Sequence, residues 1–206
     1  MIPKIIHQIW IGDKKCPMEW IETWKEKNKK LEHILWNEEK ISLLNIKNKD
    51  KYDYFLSIKE YYSACDILRV EILNKYGGIY VDADSICINS IEDEYFMRKD
   101  FFAAYEYDRK GCKDRVSNGV IGTIPNHPIM NNYLEKIFKA KRIRPSWKTI
   151  GSVMLTKCIE ENGIDNKIEI LPICSFYPNN YNKKVAKIVG KIYAKQFWAS
   201  TKKLYK

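Results

Sequence analysis

The 206-residue chain is poor in the residues that build metal clusters and disulfide frameworks. It has three histidines, at positions 7, 33 and 127, too far apart in sequence to read as a metal trio. Its six cysteines, at 16, 65, 87, 112, 158 and 174, form no C-x-x-C pair. That spread excludes a zinc-ribbon pattern and predicts unpaired, reduced thiols of a cytosolic protein. No run of about 18 apolar residues occurs, so no membrane-spanning helix is expected. The start, MIPKIIHQIWIGDKK, lacks the long apolar core and small-residue cleavage site of a signal peptide. No internal repeat or low-complexity linker marks a domain boundary, which predicts a single domain over 1–206 with a basic C-terminal segment at 183–206.

What is present is a globular composition. Hydrophobic residues make up 45 % of the chain, with 14 Tyr and 6 Trp, more apolar surface than disordered chains carry. The net charge is +10 and unevenly placed. Residues 183–206 hold eight lysines and no acid; without them, 28 basic residues face 26 acidic ones. A nearly neutral body with a basic tail argues against a broad nucleic-acid-binding face, and for one local contact with a polyanion or a membrane.

Short apolar runs alternate with helical periodicity. Strands are expected at Ile5–Gly12, His33–Trp36, Ile79–Val81, Phe101–Tyr105, Val120–Ile124 and Ile168–Leu171. Helices are expected at Pro17–Lys29, Glu38–Ile46, Ile58–Tyr76, Ile129–Lys141 and Ser152–Asn162, and residues 47–54 read as a polar loop. In the longest helix Tyr61, Cys65, Leu68 and Ile72 recur at helical spacing, and Gly77-Gly78 ends it where a left-handed residue is wanted. The alternation predicts an α/β sandwich around a mostly parallel sheet, whose ligands bind beyond the carboxyl ends of the strands.

Three features fall at such ends. Asp82 and Asp84 follow the Ile79–Val81 strand at i, i+2, a spacing that puts both carboxylates on one face of an extended segment. Such a pair suits a divalent cation with oxygen ligands, Mg²⁺ or Mn²⁺, bridging to a diphosphate. Two solvated acids in a turn would look the same; the preceding Gly-Gly and apolar strand favour the metal. Asp66 and Arg69, at i, i+3 on the long helix, read on spacing alone as a surface ion pair worth under about 1 kcal/mol. The other reading gives Asp66 sugar hydroxyls and Arg69 a diphosphate. Trp10 ends the first strand; its type favours core packing, its place a stack on a nucleobase.

Taken in order, IPKIIHQIWIG at the N-terminus and SACDILRVEILNKYGGIYVDADS at 63–85 resemble glycosyltransferase family 32. They are also similar to the catalytic core of the large clostridial glucosylating toxins. NGVIGTIPNHP at 118–128 and, loosely, TIGSVMLT at 149–156 extend the resemblance over most of the chain. It implies a GT-A type, Rossmann-like nucleotide-sugar-binding fold and a hexosyltransferase with Mn²⁺ or Mg²⁺. The implied donor is a nucleotide-diphosphate sugar, UDP-hexose ahead of GDP-mannose, and the implied outcome retains the anomeric configuration. The acceptor would be a saccharide or lipid-linked saccharide of surface polysaccharide synthesis. By the same resemblance Trp10 stacks on the base, Asp66 and Arg69 contact donor sugar and diphosphate, Asp82 contacts ribose and metal shell, Asp84 binds the metal, and Asn118 sits near the leaving phosphate. One departure stands in YAKQFWAST at 193–201: Gln196 takes the place of the family's histidine near the metal, with Ser200 a further polar group there. Gln196 offers a carbonyl oxygen, a weaker ligand than imidazole for Mn²⁺.

Two other classes compete. A haloacid-dehalogenase-type phosphatase also places D-x-D after a strand, but near its N-terminus. A non-enzymatic polyanion-binding module would use the tail and KAKRIRPSWK at 139–148. Finally, Lys184, Lys187, Lys191 and Lys195 recur at spacings of three and four. As a helix, this stretch would lie on an anionic membrane at the inner face; the equal alternative packs its apolar face on the body, and the resemblance implies a strand near the donor site at 191–200.

Overall fold

A computed structural model describes residues 1–106, 115–179 and 186–199. Its centre is a six-stranded sheet in the order β2-β1-β3-β6-β5-β7. The strands are β1 (Ile5–Ile9), β2 (Glu32–Trp36), β3 (Gly78–Val81), β5 (Phe101–Glu106), β6 (Arg115–Thr123) and β7 (Ile168–Leu171). β1 pairs in parallel with β2 and β3, β5 in parallel with β7, and β6 runs antiparallel to both neighbours. Five strands therefore point one way, as the alternating pattern predicts.

Helices cover both faces. The first is α1 (Met18–Lys27), followed by α2 (Glu38–Ser42), α3 (Lys49–Ser57), α4 (Tyr61–Tyr76), α5 (Pro128–Lys139), α6 (Ser146–Thr149), α7 (Ser152–Asn162) and α8 (Ile173–Phe176). The larger core layer lies between α3, α4, α5, α7 and the sheet, around Phe55, Ile67, Leu68, Ile72, Tyr133 and Phe101. The second gathers Ile6, Trp24, Phe96, Phe102 and Phe176 on the opposite face. The α4 helix is buried nearly all round, polar residues Asp66, Arg69 and Asn74 included, so it is a central pillar rather than a surface helix.

The turn from α4 into β3 needs its two glycines. Gly77 and Gly78 have φ of +63° and +88°, and a Cβ on Gly78 would meet His7 Nε2 at 2.8 Å. His7, expected to pack beside the first strand, lies fully buried on β1. Its Nδ1 accepts from Trp36 Nε1 at 3.1 Å, which leaves Nε2–H to donate to Gly77 O at 3.0 Å. That bond ties β1 to the start of the strand leading to Asp82.

Two expectations need correction. Residues 49–54 of the expected loop belong to α3, held by Tyr52 and Phe55 in the core and by buried Lys51, which donates to Phe138 O at 3.1 Å. The amphipathic helix over 184–195 is not there: the described part, 186–196, has no helix, turns at Gly190 with φ +77° and enters β8 (Ala194–Gln196). Strand β8 pairs antiparallel with β4 (Ser85–Cys87) in a small second sheet. The lysines at 183, 184, 202, 203 and 206, and Ser200, lie outside the described residues.

Candidate active site

Strand β3 ends at Val81, and Ala83-Asp84 form a turn rather than the extended segment expected. The Ser85 hydroxyl closes it, donating to Asp82 O at 2.7 Å. Asp82 N still donates to Gly119 O of β6 at 3.0 Å, so Asp82 is fixed to the sheet while Asp84 is carried toward β8. Ser85 is the register partner of Gln196, and this pairing brings residue 196 beside both carboxylates. Gln196 Nε2 donates to Asp84 Oδ1 and, at 3.4 Å, to Asp82 Oδ2. Ala199 N donates to Asp84 Oδ2 at 2.7 Å, and Phe197 N to Asp84 O at 2.9 Å. The carboxylate of Asp84 is thus clamped by backbone and side chain of one short segment.

The other half of the site is a charged network on α4. Arg69 reaches Asp66 Oδ1 at 3.1 Å and Asp82 Oδ1 at 3.2 Å, and donates to Asn118 O at 2.5 Å. Asn118 Nδ2 donates back to Asp66 Oδ1 at 2.7 Å. The Tyr80 hydroxyl donates to Asp82 Oδ1 at 2.9 Å, while its ring lies 4.4 Å from the Arg69 guanidinium carbon. The Arg69 side chain is only 6 % exposed, so the surface-pair reading is overturned. Gly119 is part of the same fit: a Cβ there would meet Asp82 Oδ2 at 2.5 Å and Tyr177 Oη at 2.8 Å.

Charge is matched unevenly around the acid cluster, with Lys14 and Lys59 elsewhere on the cavity wall. Three carboxylates, of Asp66, Asp82 and Asp84, share one guanidinium, and among the described residues no cation forms an ion pair with Asp84. Burial, then the Asp82 charge, pushes Asp84 up to about 7. Burial also lifts Asp66 to about 6 against the pull of Arg69. A divalent cation would supply the missing charge, and the donors are oxygens of the kind Mg²⁺ and Mn²⁺ take. Gln196 offers its amide oxygen when the amide is turned over, since nitrogen and oxygen exchange by a half-turn. Among the described residues no three His, Cys, Asp or Glu side chains are placed to hold a metal. With Asp82, Asp84 and the Gln196 amide oxygen as its protein ligands, a metal would take its remaining oxygens from phosphate and water.

Above these groups opens a cavity of about 360 Å³. Trp10, Asp66, Arg69, Asp82, Asp84, Asn118 and Gln196 all line it, so the sequence-predicted residues that are described converge there. Trp10 is half-buried at its wall, its Nε1 donating to Lys14 O at 2.9 Å, not packed in the core. The sequence reading missed Tyr80, Tyr61, Tyr62, Lys14, Lys59 and Trp198, which also line it. Only Tyr80 left a signal, two residues before Asp82 and so on the same face of the strand.

An acid pair thus stands at the carboxyl end of a strand in a mostly parallel sheet, with an arginine beside it, in a fold of the GT-A type. The fold agrees with the solved PaToxG glycosyltransferase at a TM-score of 0.63, with 20 % identity, over 78 % of this chain and 69 % of that one. Residues 15–102 match the family described as "Glycosyltransferase sugar-binding region containing DXD motif". An uncharacterized glycosyltransferase of Acanthamoeba polyphaga mimivirus is 31 % identical over 196 residues, 89 % of this chain and 76 % of that protein. A mannosyl phosphorylinositol ceramide synthase of Saccharomyces cerevisiae is 29 % identical over 157 residues, but the chain spans 37 % of its length. The chain belongs to the DXD-motif glycosyltransferases, and is an enzyme of that class rather than a phosphatase or a polyanion-binding module. Among the described residues no helix is long and apolar enough to cross a membrane.

Proposed function

We propose that the chain moves a hexose from a nucleoside-diphosphate sugar to a saccharide or lipid-linked saccharide acceptor, with retention of configuration and with Mn²⁺ or Mg²⁺. The observation that carries this reading is the convergence of Asp82, Asp84 and Gln196 on the floor of a cavity walled by Trp10 and Arg69. A metal bound there offsets the charge that grows on the leaving diphosphate.

The chain's own groups have separable tasks. Trp10 stacks on the base, with uridine the first expectation. The name of the yeast relative points to mannose, and so to a guanosine diphosphate sugar as the second. Arg69 presents guanidinium N–H groups to the diphosphate, pre-oriented by Asp66, Asp82 and the Tyr80 ring. Asp66 accepts from donor-sugar hydroxyls. Asn118, fixed by its exchange of hydrogen bonds with Arg69 and Asp66, faces the leaving phosphate.

A thermal-shift series with UDP and GDP, each with and without Mn²⁺, tests this assignment. One nucleotide should raise the melting temperature, and more so with Mn²⁺, because ligands that bind only the native state stabilise it by mass action. No shift with either nucleotide, metal present, would contradict it.

A further inference from the structure

One feature singled out in the sequence is not used by the donor site. Between Glu135 and Glu160 every charged side chain is basic, and the segment 139–148 holds most of them. Contacts at both ends tie this segment to elements that wall the cavity. Because β6 runs against the other five strands, its first residue, Arg115, lies at the same sheet edge as Asp82. Trp147, in α6, carries the Arg115 guanidinium on its ring at 5.5 Å and the Lys148 ammonium at 5.1 Å. At the other side Arg144 pairs with Glu60 at 2.5 Å, and Glu60 directly precedes Tyr61 and Tyr62 of the cavity wall. The segment thus links the residue before α4 to the first residue of β6, the two elements that supply Asp66, Arg69 and Asn118 to the cavity wall.

Its surface has the chemistry of a subsite. Trp147 and Tyr62 are 39 % and 55 % exposed, large aromatic faces of which Tyr62 lines the cavity. Lys141, Arg142 and Lys148 are exposed, and among the described residues no carboxylate pairs with them. Arg115 is matched by Glu106 at 2.8 Å, but Lys148 shares the Trp147 ring with it and is unmatched. Two cations held on one ring repel, and an anion between them would relieve that repulsion.

We propose that segment 139–148 is an acceptor subsite for a polyhydroxylated ring, sugar or cyclitol, that carries a phosphate group. The aromatic faces of Trp147 and Tyr62 take the ring, and Lys141, Arg142 and Lys148 take the phosphate through charge-assisted hydrogen bonds. This rests on the cavity being the donor site, so donor and acceptor binding must be read separately.

The test titrates the full chain at low salt with myo-inositol 1-phosphate, and with myo-inositol as its neutral control. The variant is Lys141→Gln/Arg142→Gln/Lys148→Gln, with Arg142→Gln alone as a milder second. Wild type should bind the phosphate ester and not the neutral polyol, and the triple variant should bind it about tenfold more weakly. The nucleotide-induced thermal shift and the hydrolysis of donor sugar to water should be unchanged in both variants. Phosphatidylcholine vesicles carrying phosphatidylinositol or phosphatidylserine separate the sources: preference for phosphatidylinositol adds a lipid headgroup to the free ester. Equal binding of the ester by wild type and triple variant overturns the proposal. So does no binding of the ester by wild type, or vesicle binding that follows charge alone. Loss of the nucleotide shift in wild type would instead sink the donor reading.

Discussion

Gln196 and Asp84 are joined across the small β4-β8 sheet, the amide of one donating to the carboxylate of the other. The contact is set by backbone pairing of Ser85 with Gln196, so whatever side chain stands at 196 faces the acid pair. Imidazole is a better ligand for Mn²⁺ than an amide oxygen. Replacing Gln196 by His should therefore tighten Mn²⁺ binding, by about tenfold on the scale of single-ligand changes. Calorimetric titration of Mn²⁺ into both proteins measures it, and equal affinities would remove residue 196 from the metal shell.

Trp10 lines the cavity from the end of β1, its Nε1 donating to Lys14 O on the wall. A base stack acts alike in ground and transition states. Trp10→Ala should raise KM for the donor between about fivefold and a hundredfold, the loss of roughly 1–3 kcal/mol per stacked base, and leave kcat nearly unchanged. A lowered melting temperature with an unchanged KM would return Trp10 to the core.

His7 links pH to the strand that carries the site. Burial holds it down at about 4, against the ordinary 6.5, with the Gly77 carbonyl pulling it up and His33 pushing it down. Between pH 6.5 and 4 the unfolded chain binds a proton here that the native protein does not. Stability from His7 is complete above 6.5 and is lost as pH falls through that window, by about 3 kcal/mol in all. Asp66, raised to about 6, and Asp84, raised to about 7, act with the opposite sign as pH falls toward 4. The effect must be read as a difference. Urea unfolding of wild type and His7→Asn at pH 7 and pH 4 should show wild type losing the larger share, and parallel losses would contradict it.

Much of this site was legible because its parts are local. Gly77-Gly78 fixed the end of α4 and the start of β3, and Asp82 and Asp84 followed at once. Asp66 and Arg69 were visible only as an i, i+3 pair. Their burial depends on α4 being covered by α3, α5 and the sheet, which no local spacing reveals. α3 was hidden because its core contacts, Tyr52 and Phe55, are few and its outer face is Lys49, Asp50 and Asp53. In the tail, lysines at helical spacing lost to pairing with Ser85–Cys87, a partner a hundred residues earlier in the chain. The same pairing puts Gln196 at the acid pair, so only the resemblance pointed to it.

Asp84 carries the central claim, and its amide variant separates charge from shape. In Asp84→Asn the side-chain oxygen can still accept from Ala199 N, and the Gln196 amide can turn to accept from the new NH₂. The fold should stay while the charged ligand is lost. The deciding measurement is sugar release from labelled UDP-glucose and GDP-mannose, with Mn²⁺ and with EDTA, for wild type and Asp84→Asn. Wild type should turn over one donor with Mn²⁺ and none in EDTA. The variant should lose about a thousandfold at an unchanged melting temperature. Full activity of Asp84→Asn, or of wild type in EDTA, would contradict it.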